Sequence, residues 1–237
     1  MRPALHSGSG EGLQSRLSDS GPRGPGMNIR IVAVARPVGT AGEEIAQLTA
    51  EKLGFRFYDY QVVQTAAQEA GVSPETVSEA EHTPSLLTRI LEALARNPSM
   101  PVAAWADPVP LATNPLLTST EYRRFIEDVI RDLADQGEAV LMGHGAPMVL
   151  HGRSDTLKVL TTGSTELRAQ RIAEGMNIDV DSARKTVMRT DSERQDYFQR
   201  FYNRAWLATE NYDLCLNTDR LTPDQAASII AQTAQMH

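Results

Sequence analysis

The chain has 237 residues, 41% apolar, 22% charged and 5% aromatic, and its 23 Lys and Arg against 30 Asp and Glu leave a formal net charge of −7. That length can bury one substantial core, and the acidic balance argues against a nucleic-acid polymer as partner, because phosphate backbones are held by an excess of Lys and Arg. A single cysteine, Cys215, excludes an internal disulfide and fits a reducing, cytoplasmic setting, and no run of about 18 apolar residues suggests a membrane span.

Residues 1–26 contain 14 Gly, Pro or Ser. Such a segment buries too little apolar surface to offset the entropy of ordering, so a disordered tail is expected. It is either a flexible extension or sequence upstream of a start at Met27, and it lacks the apolar core of a secretory signal. Residues 27–237 read as a single domain. The β-branched run 29–35 predicts a strand buried on both faces. A glycine-containing turn at 39–42 leads into a helix with Ile45, Leu48, Thr49 and Leu53 on one side, ended by Gly54, and 55–59 is a short extended piece. Helical patterns follow at about 60–71, 74–82 and 84–96, the last two opened by Ser73-Pro74 and Thr83-Pro84.

Residues 97–118 hold five of the 13 prolines. They form a long loop, either a lid or a packed excursion, and a candidate surface for a protein partner. Thr118 with Glu121 makes a capping box for a helix over 119–136. Strands are expected at 139–142 and 157–161, helices at 164–175, 180–190 and 192–209, and a buried strand at 212–217. Thr222-Pro223-Asp224-Gln225 opens the last helix. Strands alternating with helices predict an α/β fold with a mostly parallel sheet covered on both faces.

The first strand–turn–helix is the place to look for chemistry, because N–H groups at a helix start bind anions. The usual phosphate loop, G-x-x-x-x-G-K-[ST], uses its Lys on the transferred phosphates. Here Arg36-Pro37-Val38-Gly39-Thr40-Ala41-Gly42 has the glycines but continues with Glu43 and Glu44. Acids in a first helical turn also suit the helix dipole with no functional role. Between residues 184 and 204 lie six basic residues against three acids. That stretch is either a solvated helical hairpin or an arginine-bearing lid over polyphosphate, for which the planar fork of Arg is suited. Arg168 and Arg171 share a face of the preceding helix. Gly143-His144-Gly145 follows a strand and either faces the same crevice, at the carboxyl ends of the strands, or is a glycine pair needed only for a tight turn. The five histidines show no metal-ligand spacing, and Cys215 reads as a small core residue.

Several stretches then carry a resemblance. They are Ala35-Arg36 with Gly39-Thr40-Ala41-Gly42-Glu43-Glu44-Ile45-Ala46, and Ala50-Glu51-Lys52-Leu53-Gly54 running into Phe57-Tyr58-Asp59. Further on come residues 139–146, Leu167-Arg168 with Arg171, Asp191-Ser192-Glu193-Arg194 with Tyr197, and residues 212–218. In this order and spacing they resemble the cytidylate kinase-like family, a branch of the nucleoside monophosphate kinases, over roughly Ile31 to Ile230. The resemblance implies a three-layer P-loop kinase fold with a parallel sheet, an inserted helical acceptor-binding region and an arginine-bearing lid. It implies ATP with Mg²⁺ as donor, and CMP, dCMP or a related pyrimidine monophosphate as the small-molecule acceptor.

Carried onto this sequence, Gly39, Thr40, Ala41 and Gly42 match the phosphate loop, with Arg36 beside it. Arg168 and Arg171 match the arginines at the base of the lid. Asp191 and Arg194 match its Asp-x-x-Arg pair, which contacts the acceptor phosphate and base. Asp59 and His144 fall on the acceptor side. The family loop usually reads Gly-Ser-Gly-Gly-Arg, so Ala41 replaces a glycine and Glu43 an arginine, and His144 stands where the second turn usually carries Arg. Phosphoryl transfer is catalysed largely by positioning and charge neutralisation. Three readings follow: a nucleotide kinase, a nucleotide-binding or interaction protein that keeps the fold with impaired turnover, or a relic of the fold that binds no nucleotide.

Overall fold

The computed structural model describes residues 28–59, 63, 67, 71–73, 120–143 and 145–236. The described elements begin with β1 (Ile31–Ala35), α1 (Gly42–Leu53), β2 (Arg56–Tyr58) and α2 (Thr120–Gln136). Next come β3 (Ala139–Met142), α3 (Ala146–Val149), β4 (Thr156–Thr162) and α4 (Thr165–Met176). The chain closes with α5 (Val180–Tyr202), β5 (Leu214–Asn217) and α6 (Pro223–Gln235). All four strand pairings are parallel, in the order β2-β3-β1-β4-β5. The expected α/β architecture with a parallel sheet is the one observed.

Alternation along the central strand builds the layers. Ile31 and Ala33 of β1, with Leu141 of β3, pack on Phe125, Ile126, Val129 and Leu133 of α2. Val32 and Val34 point the other way, onto Ile45, Ala46 and Ala50 of α1 and Ala226 and Ile230 of α6. Strands covered on both faces need continuous apolar runs, and all five residues of β1 are buried. Each large aliphatic side chain enclosed this way contributes roughly 1.5–3 kcal/mol. The expected start of the last helix holds at α6, where Thr222 and Gln225 form the complete capping box.

Two expectations are corrected. Helices at 180–190 and 192–209 are one 23-residue helix, α5, which stops at the left-handed Asn203. No Pro or Gly interrupts it, and Asp191, which has the character of a helix cap, has both carboxylate oxygens engaged by Arg168 instead. Cys215 is exposed, because β5 is an edge strand whose alternate residues face outward. The tail at 1–26, the helices at 74–82 and 84–96, the loop at 97–118, Thr118 and His144 lie outside the described residues. Within 60–71, Val63 and Ala67 are helical.

Candidate functional site

The chain leaves the carboxyl end of β1 at Ala35, the central strand of a parallel sheet, and forms the loop 36–41 before entering α1. Crevices at the carboxyl ends of such strands are where ligands gather. Gly39 takes φ +81°, and a Cβ there would stand 2.6 Å from the Arg168 carbonyl oxygen, so only glycine lets the loop lie against α4. Thr40 is buried, donates its hydroxyl to the Pro37 carbonyl (2.9 Å) and shares a 3.0 Å hydrogen bond with the Thr161 hydroxyl at the end of β4. Ala41 is the N-cap of α1 in the left-handed region (φ 55°), with no side-chain cap. The first helical bond runs from Ile45 N to Ala41 O (3.0 Å), so the N–H groups of residues 42–44 have no intrahelical acceptor. Together with the helix dipole, they make the mouth of the loop favourable for an anion.

Four arginines surround this backbone. Arg168 is buried on α4; its Nε donates to the Val38 carbonyl (2.8 Å), and its two terminal nitrogens grip the Asp191 carboxylate at 2.8 Å each. Arg171, three residues on, donates to the Gly39 carbonyl (3.2 Å) and to the hydroxyl (3.1 Å) and carbonyl (2.6 Å) of Thr218 after β5. Arg36 folds back over the loop: a Cβ at Gly42 would lie 2.6 Å from the Arg36 Cβ, and the Arg36 guanidinium pairs with Glu43. Arg194 stacks on Trp206, with 5.6 Å between its guanidinium carbon and the ring centroid. Its stem is half-buried, but Nη1 is fully enclosed and has no hydrogen-bond partner among the described residues. Burial first, then the neighbouring Arg36 charge, lowers the Arg194 pKa to about 9, against the opposing pull of Glu43 and Asp191. The group remains protonated at neutral pH.

A cavity of about 420 Å³ opens on the other side of the loop, between Thr40, Ala41, Arg171, Glu174, Thr218 and Leu221. That volume is within the range of small-molecule sites, roughly 300–1,000 Å³. Glu44 also lines it, with an exposed side chain. Among the described residues no group of three or more His, Cys, Asp or Glu is arranged to hold a metal ion.

A family model described as "Cytidylate kinase-like family" matches residues 31–220. The chain belongs to the cytidylate kinase-like family. A cytidylate kinase of Methanopyrus kandleri is 30% identical over 108 residues, covering 42% of this chain and 56% of that protein. One of Sulfolobus acidocaldarius is 26% identical over 103 residues, covering 44% and 56%. The chain thus spans about half the length of the curated relatives it matches. Among solved structures, a crystal structure of an uncharacterized protein from Eubacterium ventriosum has the same fold at TM-score 0.59 and 16% identity. That alignment covers 89% of this chain and 99% of the other.

These side chains come from three separate parts of this family member: Arg36 folds over the loop, Arg168 and Arg171 of α4 bond to its Val38 and Gly39 carbonyls, and on α5 Asp191 is held by Arg168 while the Arg194 charge is felt by Arg36 and Glu43. Asp59 is buried at the end of β2, which β3 separates from β1; its carbonyl accepts the Val63 N–H (3.1 Å). The basic stretch 184–204 divides: Arg184 pairs with Asp181 and Glu166 and Lys185, Arg189 and Arg200 are exposed, whereas Arg194 and Arg204 turn inward, the latter onto Asn211 (2.8 Å). Sequence reading missed Thr161, Thr218 and Trp206. The first two carry a legible signal, since each stands at the carboxyl end of a strand beside β1 or one removed. Trp206 carries none, because its contact with Arg194 depends on how the chain turns after α5. Also unforeseen is the buried Arg123–Glu127 pair of α2, to which the Tyr202 hydroxyl donates at 2.9 Å, with Tyr202 packed on Gly145. Burial pushes the Tyr202 phenol well above its ordinary pKa, so it stays a donor.

Proposed function

We propose that the protein is an ATP-dependent nucleoside monophosphate kinase that phosphorylates CMP, dCMP or a related pyrimidine monophosphate. The observation that carries this reading is the junction of an anion-receptive helix start with four arginines and a nucleotide-sized cavity. In this reading the cavity takes the donor nucleoside, with Arg171 at the point where the base and ribose give way to the phosphates. The N–H groups of residues 42–44 receive the donor phosphates at the mouth of α1. Arg36 and Arg194, on the opposite side, neutralise charge on the group in transfer and on the acceptor monophosphate. Arg168 is a positioning residue that holds Asp191 and the Val38 carbonyl in place. Mg²⁺ bound to the ATP phosphates would be held by Glu44 and would supply further charge neutralisation. Asp59 and His144 are assigned to the acceptor side.

The test is a coupled assay of ATP consumption with Mg²⁺ and CMP, dCMP or UMP. Acceptor-dependent ADP and nucleoside diphosphate production is expected, and its absence for all three acceptors would overturn the kinase reading.

The Arg36–Glu43 pair favours a second reading, a nucleotide-binding or interaction protein with impaired turnover, because it places an acid where charge neutralisation is needed. Calorimetry separates the two: ATP binding with no turnover supports the second, and turnover lost in Arg194→Ala supports the first. The residues 97–118 remain the candidate surface for a protein partner.

A further inference from the structure

Arg36, Arg168 and Arg194 lie outside the lining of the cavity, and the carboxylates facing them are not equivalent. Asp191 is held through both oxygens by Arg168, whose side chain is 5% exposed, so that pair is part of the framework. Among the described residues Glu43 is held by Arg36 alone, and both of those side chains keep more than a fifth of their surface in water. Arg194 stands near enough to Arg36 and Glu43 for both charges to act on it, and its Nη1 is enclosed and unpartnered among the described residues. A buried guanidinium nitrogen without an acceptor is costly to leave unmatched, and a small oxyanion is the ligand that would match it. Arg36, Arg194 and Glu43 sum to a single positive charge, next to helix N–H groups that also favour an anion.

We propose that Arg36 and Arg194 form a phosphoryl-binding site in which Glu43 is the resident counter-anion. A phosphate oxygen takes the place of the Glu43 carboxylate on Arg36, supplies the acceptor that Arg194 Nη1 lacks, and returns Glu43 to solvent. Glu43 thereby determines the charge selectivity of the site. With the carboxylate nearby, a dianionic phosphoryl group is bound less well than the two arginines alone would allow, and a monoanion is penalised less. This rests on reading the loop at 39–42 as phosphate-binding and does not require that the protein turn over any nucleotide.

The experiment is calorimetric titration of the full chain with inorganic pyrophosphate and, separately, with dimethyl phosphate, a monoanion. Glu43→Gln keeps the shape of the side chain and should bind pyrophosphate about tenfold tighter than the parent, the scale expected for removing one nearby charge at a partly exposed site. Glu43→Ala should show the same gain, which separates loss of charge from any new hydrogen bond made by the Gln amide. Dimethyl phosphate should gain less, by about threefold. In Glu43→Gln with Arg194→Gln the pyrophosphate gain should disappear. Equal affinity in the parent and both Glu43 variants would overturn the proposal, as would a gain that survives loss of Arg194. Because the probe is not a nucleotide, these results are independent of the kinase assay: turnover with no Glu43 effect defeats only this inference, and a Glu43 effect with no turnover defeats only the kinase reading.

Discussion

On the cavity side of the loop, Arg171 ties backbone to backbone, from the Gly39 carbonyl to Thr218, and leaves about 420 Å³ open beside it. The other three arginines lie outside the lining of that cavity and face carboxylates: Arg168 holds Asp191, Arg36 holds Glu43, and Arg194 keeps an enclosed nitrogen with no partner among the described residues. One side is shaped to admit a ligand, and the other has its charge largely balanced from within. The same residue type does both because a guanidinium's behaviour depends on which acceptors the fold places in its plane. A count of arginines near a loop therefore overstates the cationic field that a ligand would meet.

Substitutions can break this contrast. The largest effect is expected for Arg168→Ala, which strips both hydrogen bonds from Asp191 and one from the Val38 carbonyl. Breaking a mostly buried pair commonly costs about 3–5 kcal/mol, and partial exposure of Asp191 puts the expectation near the lower figure, about 3 kcal/mol, read by urea denaturation. A loss under about 1 kcal/mol would mean that this pair is not part of the framework. Gly39→Ala follows, at about 2 kcal/mol, from the positive φ and the clash with the Arg168 carbonyl. An unchanged melting temperature in this variant would show that the loop can move off α4 freely.

Arg171→Ala probes the cavity side. ATP affinity measured by calorimetry should fall about tenfold, the scale of a lost charge-assisted contact, while pyrophosphate affinity should fall less if Arg171 acts at the nucleoside end. Equal losses for the two ligands would erase the distinction between the sides. The smallest effect is expected for Ala41→Gly. It relieves a left-handed residue but loosens the unfolded chain, so a net stabilisation of about 0.5 kcal/mol is expected from thermal melts.

Much of this arrangement was legible in the residues. The strand at 139–142 and the α6 capping box fall where local chemistry puts them, because a short apolar run after a Gly turn and a Thr-Pro-x-Gln start each have few alternatives. The error at 180–209 has a definite cause. Asp191 and Ser192 look like a helix cap, but α5 runs through them and the Asp191 carboxylate is taken by Arg168, 23 residues earlier. Cys215 was misplaced because an apolar stretch does not say whether its strand is central or at an edge.

The same division holds at the site. The order of residues alone determined the loop at 39–42, the arginines that could serve it, and the departures at Ala41 and Glu43, since glycine spacing and charge are properties of the chain. Only the tertiary structure decided what each arginine does: Arg168 is committed to Asp191, Arg171 to the loop and Thr218, Arg36 to Glu43, and Arg194 is left with a free donor among the described residues. The physical reason is that a guanidinium carries the same charge everywhere, whereas the partners of Arg168 and Arg171 come from elements distant in sequence. Those partners are brought within hydrogen-bond reach only once the parallel sheet has set β1, β4 and β5 side by side.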